Sequence, residues 1–344
     1  VILDRPLLPR LREVAQEQRG RHPPVDFELR VLTLARLGQD RGREVGPEDR
    51  HIPVRELGEV LPKGDPDAVG LLPRGTGGRP DRQTAGGGAV TFNNVSSVGS
   101  SSTGSRNYGI ISLSNSAGEI IVDGSGVSSE FESDISISTS GSGNNITINA
   151  PINAVLNGGG VHLISSGSIS ATGQITGYAG DIQAQTGISI TDGNLSQGFN
   201  NISSPSGNII IVNQWEFGLP AAITTTGDVS LTSNQNLILN NSITTSGRIT
   251  LTANNGVEMR ADVTLDTTSG GTSPGGGDIT INGTVDSDST PRDLSLNGGT
   301  GGVLLVTGAV GSTKALDTLT VTNSGGATFQ STVDAATVAI SDSS

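Results

Sequence analysis

Cysteine is absent from this chain, which excludes disulfides, thiolate metal centres and cysteine nucleophiles together. Aromatic residues are only 3% and charged residues 15% of the sequence, too few for a wide globular core anchored on large rings. The apolar stock that remains is Val, Ile, Leu and Ala, side chains that suit thin, layered β-structure. No stretch approaches the roughly 20 consecutive apolar residues of a transmembrane helix. Positive charge is short as well: 20 Lys and Arg stand against 33 acidic residues, for a formal net charge of −13. That balance speaks against nucleic-acid binding, because displacing counterions from a phosphate backbone takes a basic stripe. The sequence begins at Val1 with Pro6, Pro9 and several charges where the apolar core of an export signal would lie. The expectation is a fragment whose export signal lies upstream.

Glycine is abundant, with 50 residues, and the chain divides by vocabulary. Residues 1–90 hold 15 of the 20 Lys and Arg, 14 acidic residues and 10 of the 15 Pro; downstream, five basic residues face 19 acidic ones. Residues 1–88 are expected to be poorly structured and partly helical, with short helical stretches at Leu7–Gln18 and Phe27–Gln39. Pro23, Pro24, Pro47, Pro53, Pro62 and Pro66 interrupt any longer amphipathic period. Arg outnumbers Lys here by 14 to 1, a vocabulary like that of GC-rich DNA translated out of frame. Two readings stay open, a spurious segment or a poorly ordered leader. Codon usage continuous across the seam would exclude the first.

From Ala89 the language is Gly, Ser, Thr and Asn with alternating Ile, Val and Leu. The unit is Gly, a polar residue, then two apolar residues one position apart: Gly207-Asn-Ile-Ile-Ile, Gly227-Asp-Val-Ser-Leu, Gly247-Arg-Ile-Thr-Leu, Gly277-Asp-Ile-Thr-Ile. Three copies align at a spacing of 20, which stacks Ile209, Val229 and Ile249, and likewise Ile211, Leu231 and Leu251. Phe217, Leu237 and Val257 form a further column, as do Leu219, Leu239 and Met259, and Ile223, Ile243 and Val263. Period-2 alternation means short strands with one face inward. Since no single copy can bury that face alone, copies must stack. The expected fold for residues 89–344 is all-β, a right-handed parallel β-helix or β-solenoid of about 12 coils and 55–60 Å. The 30 residues from Gly247 to Gly277 fit one coil plus a loop around Thr267–Gly277. Corner glycines are expected to serve turns that require positive φ.

The segments GGGDITINGTVDS, ITTSGRITLTANNGVEM and LSLNGGTGGVLLVTGAVGSTKALDTLTVTNSGGATFQSTVDAATVAI resemble the repeats of filamentous-haemagglutinin-like large exoproteins, a likeness covering about three quarters of the chain. The resemblance implies a bacterial, secreted, cell-surface adhesin segment, exported across the outer membrane either by a secretion partner of the full-length protein or as an autotransporter. It further implies contacts with host or bacterial surface glycans or proteins, no cofactor, and no catalysis.

A carbohydrate-active β-helix enzyme, a polysaccharide lyase or glycosidase, is the alternative, and its chemistry needs clustered carboxylates. The nearest materials are Glu130, Glu132 and Asp134, and Asp286, Asp288, Arg292 and Asp293; the plain reading of both sets is a solvated corner. Gly275-Gly276-Gly277-Asp278 is a single, partial echo of a calcium-binding nonapeptide, and a corner turn explains it equally. Thr232 with Thr252, Thr224 with Thr244, and Thr225 with Thr245 suggest outward Thr ladders. His162 has no His partner in the repeat region. Trp215, Asp286, Asp288 and Arg292 are the candidate ligand contacts, while Phe217 shares a column with Leu237 and belongs in the core.

Overall fold

The structure is a computed structural model that describes residues 81–85, 88–97, 111–129, 134–154, 159–219 and 221–341. The helical stretches expected at Leu7–Gln18 and Phe27–Gln39 lie outside these residues. The described residues belong to one compact unit, an all-β parallel solenoid.

One ladder carries the fold. Val90, Ile120, Ile146, Ile169, Ile188 and Ile209 pair in succession, and Val229, Ile249, Ile279, Leu304 and Ala327 continue the series. These ten parallel steps span about 48 Å at ~4.8 Å each, shorter than a uniform 20-residue coil would give. Coils lengthen where loops leave a corner, and the rungs keep their register. The first described strand, Asp81–Ala85, already pairs with Ile111–Asn115, ahead of the compositional seam.

Three faces close the coil. In the regular part they are Ile209–Asn213, Val229–Ser233 and Ile249–Ala253 on the first; Phe217–Leu219, Asn236–Leu239 and Gly256–Met259 on the second; and Ile223–Thr224, Ile243–Thr244 and Val263–Asp266 on the third. On the first face Val229 and Leu231 are buried and Ser230 and Thr232 are half-buried, as period 2 demands. Burying each such side chain contributes about 1.5–3 kcal/mol. Phe217 is fully buried in its expected column beside Leu237.

Two expected columns shift. Ile243 pairs with Leu265, and Val263 instead pairs with Leu294 on the following rung. Val263 and Leu265 both face inward, so either satisfies the apolar pattern, and two extra residues after Met259 choose between them. Thr225 and Thr245 do not form an outward ladder. With Thr267 they are buried, and their hydroxyls donate to the carbonyls of Gly207, Gly227 and Gly277 respectively. A turning backbone leaves those carbonyls without ladder partners, and an inward hydroxyl satisfies them. Thr224 and Thr244 do point outward.

The polar residue after each repeat Gly also has a structural task. Asn208 Oδ1 accepts the Asp228 amide at 2.8 Å, and Asp228 Oδ1 accepts the Arg248 amide at 2.8 Å. Asp278 Oδ1 accepts the Val303 amide at 3.0 Å, and its other oxygen lies 3.4 Å from Arg248 Nε. The nonapeptide echo is thus a rung-to-rung tie. Among the described residues no three His, Cys, Asp or Glu side chains gather as a metal site.

The loop after Asp266 leaves the third face and rejoins the first, where Ile279 pairs with Ile249. Asp266 is 8% exposed, and its carboxylate accepts the Thr268 amide at 2.7 Å, the Thr268 hydroxyl at 2.6 Å and the Gly270 amide at 3.0 Å. Asp266→Ala would strand these donors at a cost of about 1–3 kcal/mol. Hydrogen exchange at Thr268 and Gly270 is expected to accelerate while Leu251 stays protected. Unchanged exchange would mean that the carboxylate does not hold the loop.

Candidate functional site

A groove of about 580 Å³ opens on the second face, lined among others by Asn236, Glu258, Arg260, Asp286, Asp288 and Lys314. Its floor follows from register. Val257 pairs with Val285, Glu258 with Asp286 and Met259 with Ser287, so the flanking members are buried and the two carboxylates stand outward one rung apart. Like charges in that position repel, and each is offset locally. Glu258 Oε1 accepts from Arg260 Nε at 2.6 Å, which holds the Arg260 guanidinium above its ordinary pKa. Asp286 Oδ1 accepts the backbone amides of Thr313 at 2.8 Å and Lys314 at 3.1 Å.

Asp288 is clamped by a two-point bond, from Arg292 Nε at 3.0 Å and Arg292 Nη2 at 2.8 Å, and accepts the Thr290 amide at 2.8 Å. Those bonds, with Arg292 the larger cause, hold its carboxyl down to about 2. The Arg292 guanidinium is raised in turn, chiefly by the same bond. A depressed folded pKa means that the pair's stabilising effect is present above the ordinary value of 3.8 and is lost as pH falls through about 2. Carboxyl titration by NMR is expected to place the Asp288 midpoint near 2 in the parent chain and near the ordinary Asp range in Arg292→Ala. A parent midpoint near 4 would show the clamp to be open in solution. As a partly exposed pair it should leave thermal stability nearly unchanged.

The expected contacts therefore separate. Asp286 and Asp288 line the groove, while Arg292 is engaged with Asp288 beside it. Asp293 Oδ1 is shielded from water with no hydrogen-bond partner, and the Asp293 amide donates to Asp262 Oδ1 at 3.1 Å. Trp215 is 56% exposed and lies outside the groove lining. It neighbours the groove through its chain partner Glu216, whose carboxylate accepts from Asn236 at 3.2 Å. Glu130 and Glu132 fall outside the described residues, and Asp134 accepts the Gly160 amide at 2.7 Å. His162 pairs with Asp181 on the adjacent rung at 3.0 Å.

Glu258, Arg260 and Lys314 were not anticipated. Their signal lies in the columns: Glu258 and Asp286 are 28 residues apart, an alignment visible only once the intervening loop is set aside.

Comparison of the chain with protein-family models, curated proteins and solved structures finds no match. Among the described residues no helix is long and apolar enough to cross a membrane.

Proposed function

We propose that the chain is a structural and adhesive segment of a secreted bacterial surface exoprotein, a rigid stalk that mediates adhesion or matrix contact outside the cell. The observation that carries this reading is the unbroken ladder from Val90 to Ala327. Stacked main-chain bonds and a narrow apolar interior give stiffness along one axis without any cofactor. The likeness of the repeats to filamentous-haemagglutinin-like exoproteins supports the same reading, together with export through an outer-membrane partner of the longer protein. Beads coated with the chain are expected to attach to bacterial or epithelial surfaces more than beads coated with an inert protein of equal charge. Equal attachment would remove the adhesive role.

One observation favours the carbohydrate-active alternative, namely that three carboxylates and two cations line one groove. Against it, general acid catalysis wants a carboxyl with a raised pKa, and Asp288 is held in the opposite direction. Sustained release of reducing ends from polygalacturonate by the purified chain would decide for the enzyme.

A further inference from the structure

We infer that the groove on the second face binds an uncharged oligosaccharide, laid along the stacking direction with one sugar ring against Trp215. The inference rests on the adhesive reading only for the idea that a surface ligand exists.

Charge is the first argument. Glu258, Asp286 and Asp288 face Arg260, Lys314 and the Arg292 clamped on Asp288, and Glu216, bonded to Asn236 of the lining, leaves one negative charge in excess. So small an excess offers little local field to draw in a polyanion or a polycation. It does present donors and acceptors side by side, with Asn236, Asn255 and Thr284 interleaved among the charged groups. Sugar hydroxyls both donate and accept, so they match this alternation.

Shape is the second. The strand register aligns Asn236 with Gly256 and Val257 with Val285, and Thr313 and Lys314 follow on the next rung. Adding the rung of Trp215, the site covers four steps, about 19 Å. A pyranose ring is comparable in length to one step, so an oligosaccharide of several rings fits. The Trp215 backbone is fixed from below, its carbonyl accepting from Ser233 Oγ at 2.7 Å and Asn213 Nδ2 at 3.2 Å. A large ring left 56% exposed on a fixed corner, one rung from Asn236 of the lining, offers a stacking platform for an apolar sugar face. An extended peptide suits the site less, because strand addition needs a sheet edge, and here the ladder bonds run rung to rung beneath a face.

Trp215 is the only Trp of the chain, so its emission reports this site directly. The full chain would be titrated with cellohexaose, maltohexaose and chitohexaose, alongside hexamers of galacturonate and of glucosamine as charged arms. At least one uncharged hexasaccharide is expected to shift the emission saturably. Lys314→Ala, at an exposed position, and Asn236→Ala should each weaken binding by about five- to tenfold with unchanged circular dichroism. Trp215→Ala, read by calorimetry, should weaken it by about tenfold or more. No response to any uncharged hexasaccharide up to about 10 mM overturns the inference. So does tighter binding of a charged hexamer, or affinity unchanged in all three variants. If beads attach to cells but no sugar binds, the inference fails and the stalk stands. Sugar binding without attachment supports the groove and removes adhesion.

Discussion

Leu251→Asp is expected to open the solenoid at its centre. Leu251 is fully buried between Leu231 and Ile281 on the neighbouring rungs, with no route to water. An unpaired carboxylate there would cost more than about 4 kcal/mol, because neither a counter-ion nor solvent can reach it. Leu251→Ala, which removes only volume, should cost about 2–5 kcal/mol. In a stacked protein each rung contacts only its neighbours, so the damage should stay local before it becomes global. Denaturant unfolding of Leu251→Asp is expected to split into two transitions, with amides of Leu231 and Ile281 exchanging fast and those near Ile146 still protected. A single transition at the parent midpoint would mean that the interior is not continuous through this rung.

Gly227→Ala should also destabilise, for a reason that differs from the usual one for glycine. Gly227 does not take a positive φ. A Cβ placed on it would lie 2.2 Å from the Gly207 carbonyl carbon and 2.3 Å from its oxygen, both backbone atoms of the rung above. Neither can rotate aside, so the rungs must part, at an expected cost of about 1–3 kcal/mol and more for Val. Two other glycines separate contact from conformation. Gly270 has open space around it but a φ of 66°, so Gly270→Ala should be strained by about 1–2 kcal/mol. Gly275 has open space and no positive φ, so Gly275→Ala should be neutral or stabilising by about 0.4–1 kcal/mol. Thermal melts of the three variants check the order. If Gly227→Ala melts with Gly275→Ala, close stacking at this corner is not what selects glycine.

Those corners show what the sequence could and could not say. Ile209, Val229 and Ile249 were legible as neighbours because period 2 and a shared spacing of 20 coincide, and they do pair in register. The repeat glycines divide: Gly180 and Gly207 take the positive φ that a turn requires, whereas Gly227 is selected by close approach, and only geometry parts the two reasons. Thr225 and Thr245 looked like surface because a hydroxyl suggests water, yet inside a corner the nearest acceptor is a backbone carbonyl. The spacing alone favours Val263 for the place beside Ile243 that Leu265 takes, because both suit an inward position. In the groove, Asp286 and Asp288 were visible as an i, i+2 pair on one side of a strand. Glu258, Arg260 and Lys314 were hidden, since their neighbours arrive from other rungs across coils of unequal length.

The detour between Asp266 and Asp278 carries a practical consequence. Ile249 meets Ile279 in the same alignment by which Val229 meets Ile249, although the first interval is ten residues longer than the second. The ladder is therefore indifferent to how much chain exits at this vertex, so long as both stumps return to their places. Such a vertex is a docking port for foreign sequence: an epitope or a small folded module could be spliced in after Gly271 and displayed at a fixed height on the shaft. Change in natural relatives would follow the same rule, with length varying at vertices while the cross-section stays constant.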